Sequence, residues 1–264
     1  MEFVDTHAHL DAFIENGTLD AALARAREAG VSRIISCSAS PRDWEAYFEA
    51  SSQNRGVVFW QLGVHPTEIG PDTEAALEGA GKFLKSQNPP VAIGEIGLDF
   101  HMMEGTPAEI ERARDAQRRI FKMQLEMAKS AGLPVCIHAR DAVMEAAEII
   151  TESGFDWKRV VFHCFSGTPG EMREINALGG RASFTGIITY KNAGEMREAM
   201  LAQGLGRLML ETDCPYLSPV PFRGKPNEPS RLPHTASRAA EIFGVPPGEI
   251  ASATTRNAAE FFGL

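Results

Sequence analysis

The sequence predicts a (β/α)8 TIM barrel, and two observations carry that expectation. Eight short apolar runs alternate strictly with eight helical stretches, and no tandem repeat or low-complexity tract interrupts them. The length, 264 residues, matches the ~250 typical of one such barrel. The runs are Phe3–Thr6, Arg33–Cys37, Val57–Leu62, Val91–Glu95, Pro134–His138, Val160–His163, Arg181–Thr185 and Leu208–Thr212. They are rich in Val, Ile, Leu and Phe, as strands buried on both faces should be. Helices are expected over Leu19–Ala29, Pro41–Ser52, Thr73–Ser86, Pro107–Ala131, Ala142–Ser153, Pro169–Leu178 and Ala193–Ala202, with a last helical region from Pro233 to Phe262. Pro41, Pro107 and Pro169 fit first turns, and Gly30, Gly132, Gly154 and Gly179 follow helix ends. In Glu111–Ala131, Phe121, Gln124 and Ala128 mark the face that packs on the barrel. Such strict alternation favours a closed barrel over an open sheet, as a single domain over residues 1–264.

Composition narrows the function. The chain is 44% hydrophobic and 23% charged, as an ordinary soluble enzyme is. No apolar stretch approaches the ~18–20 residues of a membrane span, so no membrane partner is expected. Met1–Asp5 lacks the basic and apolar segments of a signal peptide. Cys37, Cys136, Cys164 and Cys214 show no CxxC spacing, so reduced thiols and a cytoplasmic location are expected. The net charge of −9 argues against a broad nucleic-acid-binding face. A small phosphate-handling site remains open, because divalent cations reverse the local sign.

Barrel active sites lie at the C-terminal ends of the strands. Strand one carries His7 and His9, two apart and so on one face, roughly 6–7 Å apart at Cα. Strand three ends at His65, strand four at Glu95 with Asp99 four residues on, and strand five at His138 followed by Arg140 and Asp141. Strand six ends at His163 and strand eight at Glu211 and Asp213. Buried imidazoles and carboxylates need partners, and metal ions are the simplest for a converging set. His7, His9, Glu95, His138, His163 and Asp213 are six candidate ligands. One catalytic zinc normally takes three protein ligands, so six suit two metals with one carboxylate bridging. Imidazole suits zinc or nickel and carboxylate suits magnesium or manganese, so this set does not choose the metal. No Gly-x-Ser-x-Gly elbow and no GxxxxGK loop occurs, which leaves a metal-activated water as the natural nucleophile.

Cys214–Pro233 holds six prolines and follows strand eight, so a stiffened loop is expected over the catalytic face. For the phosphodiester substrate that the family resemblance given next implies, His65 is a candidate donor to a phosphate oxygen. Arg140, Lys191, Arg223 and Lys225 are candidates for holding flanking phosphates. Arg140 has a rival pairing with Asp141 or Asp99. Tyr190, Phe100 and Tyr216 are candidates for base stacking, with simple packing the stronger reading for each alone. The cysteines read as small buried residues, with Cys164 and Cys214 turned away from the neighbouring ligands.

The motifs Asp5-Thr6-His7-Ala8-His9-Leu10-Asp11, Gly63-Val64-His65-Pro66, Gly94-Glu95-Ile96-Gly97-Leu98-Asp99, His138-Ala139-Arg140-Asp141, His163-Cys164-Phe165-Ser166-Gly167 and Glu211-Thr212-Asp213-Cys214-Pro215-Tyr216-Leu217 occur in this order. With Arg223-Gly224-Lys225-Pro226-Asn227-Glu228-Pro229, they resemble the TatD-type metal-dependent deoxyribonucleases almost end to end. The resemblance implies an amidohydrolase-type barrel that hydrolyses DNA phosphodiesters, as an exonuclease acting from the 3′ end of single strands. It implies one metal among His7, His9, Glu95 and Asp213. A second metal lies among Glu95, His138 and His163, with Glu95 as bridge and Asp213 as base. Magnesium or manganese is the expected activator. Pro226 departs from the basic residue that many members carry, which weakens the expected phosphate binding at the rim.

Two rivals accompany this reading. One is a binuclear hydrolase of an amide, ester or lactone in a small molecule. The basic rim and Glu95, where many amidohydrolases carry a carboxylated lysine, count against it. The other is a non-catalytic binding module, against which the intact acid and imidazole set stands.

Overall fold

The computed structural model describes residues 1–264. Eight parallel strands pair in sequence order. They are β1 (Phe3–Ala8), β2 (Val31–Cys37), β3 (Val58–Leu62), β4 (Ala92–Asp99), β5 (Val135–Arg140), β6 (Val160–Phe162), β7 (Arg181–Phe184) and β8 (Met209–Leu210). Parallel neighbours require crossover connections, which the helical segments supply. The short β8 meets β1 through bonds just past its end. The Asp213 N–H donates to the His7 carbonyl at 2.9 Å, and the His9 N–H donates to the Cys214 carbonyl at 2.8 Å. The Asp5 carboxyl accepts the Thr212 N–H at 2.9 Å and lies 2.6 Å from the Thr212 hydroxyl. Burial pushes that carboxyl up to about 8 against the Thr212 bonds. The architecture is the expected TIM barrel.

Val4, Ile35, Ala92, Cys136, Val161 and Met209, each from a different strand, form one small apolar cluster that fills the barrel interior. Ala258 and Phe262 join it from α11 (Pro247–Phe262) and close the lower end. A larger cluster of 49 buried residues lies between sheet and helices. Trp60 makes edge contacts with Phe48 and Phe83 there.

The remaining helices are α1 (Asp11–Glu15), α2 (Leu19–Glu28), α3 (Trp44–Gln53), α4 (Thr73–Gly79), α5 (Gly81–Leu84), α6 (Pro107–Ala131), α7 (Val143–Glu152), α8 (Pro169–Leu178), α9 (Gly194–Gln203) and α10 (Leu232–Phe243). Local chemistry explains the long ones. α6 opens with a Thr106/Glu109 capping box and Pro107, and stops at Gly132 in the left-handed region. α8 repeats the device with Thr168, Glu171 and Gly179. Several boundaries differ from expectation: β4 runs on past Glu95 to Asp99, and the short α1 was not expected. Thr73–Ser86 breaks into α4 and α5 at Ala80, and the last region divides at Gly244, which adopts the left-handed C-cap. Pro41 precedes a turn, so α3 begins only at Trp44.

α6 also positions the catalytic end of the barrel. Its buried Gln124 accepts the Val64 N–H at 2.7 Å and donates to the Val64 carbonyl at 3.2 Å. Its buried Gln117 grips the Asp99 backbone in the same way, at 2.8 and 3.0 Å. Between these clamps Gly97 sits at φ +138°, where a Cβ would overlap the His138 carbonyl oxygen. Gly97→Ala is expected to destabilise the protein by about 2–5 kcal/mol, from backbone strain plus overpacking. An unchanged urea midpoint would sink this account of the β4–β5 contact.

Candidate metal centre

His7, His9, Glu95, His138, His163 and Asp213 converge at the C-terminal mouth of the barrel. Two strands must break their alternation to achieve this. Val4 faces the interior, so strict alternation would turn Thr6 and Ala8 inward. The β1–β2 register shifts between Asp5 and Ala8. His7 thereby enters the barrel, with Nδ1 3.6 Å from Cys136 Sγ. Likewise the β4–β5 register shifts between Ile93 and Ile96, and Glu95 enters on the same side as Ala92. His138 and His163 keep the period of two from Cys136 and Val161. Asp213 and Cys164 adopt φ of +52° and +43°, a conformation that clusters at functional sites.

Glu95 is 2% exposed and divides its two oxygens between two groups. Oε2 lies 3.4 Å from His7 Nε2 and 3.7 Å from His9 Nε2. Those two nitrogens are 3.4 Å apart, and Asp213 Oδ1 is 3.8 and 3.3 Å from them. Ligand atoms at ~2.1 Å in a tetrahedron stand ~3.4 Å apart, so His7, His9 and Glu95 could hold one metal ion, with Asp213 beside the two imidazoles. Oε1 lies 2.6 Å from His163 Nε2 and 2.7 Å from His138 Nδ1, which are themselves 3.3 Å apart. Glu95, His138 and His163 could hold a second ion.

Charge balance is tight. Burial raises the Glu95 carboxyl, but His163, His65 and His138 outweigh it and hold it well below the usual range. Burial opposes a charge on His9, yet the Asp213 hydrogen bond and charge push it up to about 9. The same competition, settled by Asp99 and Glu95, raises His138. His7 moves down because of burial and the neighbouring His163.

Some residues stand closer to this centre than the sequence indicated. His65 Nε2 is 3.4 Å from Glu95 Oε1, and its ring lies edge-on to His138 at 4.3 Å. His65, half-buried, therefore stands against the ligand cluster itself. Asp99 Oδ2 is 3.1 Å from His138 Nε2. Glu211 lies behind His163 at 3.5 Å and also accepts the Cys164 N–H at 2.6 Å. Both acids were visible as strand-end carboxylates, but their service to particular imidazoles was not. The thiols nearest the centre belong to Cys37 and Cys136, at 3.9 Å from Glu95 and 3.6 Å from His7. Burial pushes both thiols well up.

Arg140, Lys191, Arg223 and Lys225 are all exposed. Arg140 pairs with neither Asp141 nor Asp99, because Asp141 takes His101 at 2.7 Å and Asp99 takes His138. Arg223 lies over the Tyr190 ring at 4.5 Å. Phe100 is covered by Arg114 and Arg118 at 4.7 and 5.7 Å, which leaves packing as its role. Tyr216 is 61% exposed and stands edge-on to His9 at 5.9 Å. The proline-rich loop is tied across the mouth. Asn227 donates to the Thr212 carbonyl at 2.9 Å, the Tyr190 hydroxyl donates to the Ser218 carbonyl at 2.9 Å, and Arg25 pairs with Glu228 at 2.6 Å. No helix is long and apolar enough to cross a membrane.

Residues 4–263 match the family described as TatD related DNase. The chain is 36% identical over 260 residues to the uncharacterized metal-dependent hydrolase YabD of Bacillus subtilis, covering 98% of each chain. It is 36% identical over 251 residues to the 3'-5' ssDNA/RNA exonuclease TatD of Cronobacter sakazakii, covering 92% of this chain and 91% of that one. The crystal structure of YjjV, a TatD homologue from Escherichia coli, superposes with a TM-score of 0.88 at 30% identity, covering 99% and 98% of the two chains. Sequence and fold agree from end to end, and the chain belongs to the TatD-related DNase family.

Proposed function

We propose that this protein removes nucleotides from the 3′ end of single-stranded DNA by hydrolysing phosphodiester bonds, with two divalent cations, magnesium or manganese. As a member of its family the chain is a metal-dependent hydrolase acting on ester bonds. The observation that carries the finer reading is the division of Glu95, one carboxylate oxygen to each of two donor groups. The name of the Cronobacter relative supports the polarity and the single-stranded substrate.

In this reading His7, His9, Glu95 and Asp213 hold one cation, and Glu95, His138 and His163 hold the other. Cations there supply Lewis acidity toward water and toward the phosphoryl oxygens. Asp213 accepts the proton of the attacking water, since its carboxylate stays ionised: burial opposes this, but His9 and His7 outweigh it. His65 donates to a non-bridging phosphate oxygen from beside the ligand cluster. Arg140, Lys191, Arg223 and Lys225 contact flanking phosphates from the rim, where they are free of acidic partners. Tyr216, exposed above His9, offers a face for the terminal base. The mouth admits a chain end more readily than the middle of a duplex.

A 5′-labelled single-stranded oligonucleotide tests this. With magnesium or manganese the expected product is a ladder shortening from the 3′ end, abolished by EDTA. An intact oligonucleotide in every lane would move the assignment to a small-molecule carbonyl substrate. A matching RNA oligonucleotide reads the sugar preference.

A further inference from the structure

We propose that Asp99 is a positioning residue that fixes which ring nitrogen His138 presents to the metal centre. This rests on the two-cation reading above. Asp99 closes β4 and is itself firmly held. Gln117 of α6 clamps its backbone, and its Oδ1 accepts the His101 N–H at 2.9 Å. That leaves Oδ2, which lies 3.1 Å from His138 Nε2. An ionised carboxylate only accepts, so the proton of this bond belongs to Nε2. Once a cation takes the place of the Nδ1 proton, Nε2 keeps its N–H for Asp99 and Nδ1 offers its lone pair. Nδ1 lies 2.7 Å from Glu95 Oε1 and 3.3 Å from His163 Nε2. These are hydrogen-bond distances; a cation taking the place of the shared protons would have the Asp99 carboxylate behind the imidazole as its support.

His163 does not share this geometry. Behind His163 the acid is Glu211, but Nδ1 is 3.5 Å away and not aligned for a hydrogen bond. Gln117 belongs to the buried face of α6. A line of contacts therefore runs from helix packing through Asp99 to His138.

Calorimetry of metal-stripped protein with Mn2+ alone tests the role. Wild type is expected to bind two ions. Asp99→Ala is expected to weaken one site about 10–100-fold and leave the other unchanged. Asp99→Asn should recover part of the loss, because its side-chain carbonyl can still accept from Nε2. Imidazole nitrogen NMR of the Zn2+-loaded wild type should show His138 protonated at Nε2 and metal-bound at Nδ1. If Asp99→Ala does not fold, that spectrum decides alone. Two unchanged sites in Asp99→Ala, or His138 protonated at Nδ1, overturns the proposal. So does loss of a third ion with the other two intact, which would make Asp99 a ligand. A wild type that binds fewer than two ions overturns the two-cation reading and this proposal together. A wild type that binds two, with Asp99→Ala unchanged, overturns this proposal alone.

Discussion

Glu95→Gln is expected to reduce bound metal from two ions per chain to at most one and to lower turnover by on the order of 10³-fold or more. An amide has one oxygen to offer. Whichever donor group receives it, the other receives an NH2 group that repels a cation. The substitution also removes the buried counter-charge of His163, His138 and His65. Stripping one partner from a buried ion pair costs roughly 3–5 kcal/mol, and urea unfolding in EDTA should register a loss of that order. Metal analysis by mass spectrometry reads the stoichiometry directly. Two ions retained in the variant would dismiss Glu95 as the bridge, whatever the activity.

Asp213→Asn separates binding from chemistry. The variant is expected to hold at least one ion while turnover falls on the order of 10²–10⁴-fold, the usual contribution of a general base. Asn tolerates the left-handed backbone that Asp213 adopts at φ +52°, so the loop after β8 should keep its course. Oδ1 can still face His7 and His9, but the amide no longer accepts a proton from water. Near-native turnover with metal bound would remove Asp213 from the role of base and pass it to another carboxylate at the mouth.

Much of this was legible in the chain. Short apolar runs, proline at helix starts and glycine at helix ends place every strand and most helices. Exceptions arose where local signals conflict. Pro41 marks a turn before α3 rather than its first turn, and Gly244 divides a continuous amphipathic stretch into α10 and α11. The six candidate ligands were legible because strand C-termini in a barrel share one mouth, so position along each run predicts convergence without any knowledge of distance.

Other relations depend on neighbours remote in sequence. Alternation from Val4 or Ala92 would aim His7 and Glu95 away from the interior. Only the register shifts against β2 and β5 turn them in. His65 reads only as the end of strand three, yet its ring packs on His138, a neighbour two strands further on. Asp99 is one acid among 35 acidic residues in the sequence, and its meaning appears only when Oδ2 meets His138. By itself the sequence determined the barrel and the set of groups at its mouth, because periodicity and strand ends are local properties. Tertiary structure alone decided which oxygen of Glu95 serves which imidazoles and which acids stand behind them, because hydrogen-bond partnership is set by distances that closure of the barrel creates.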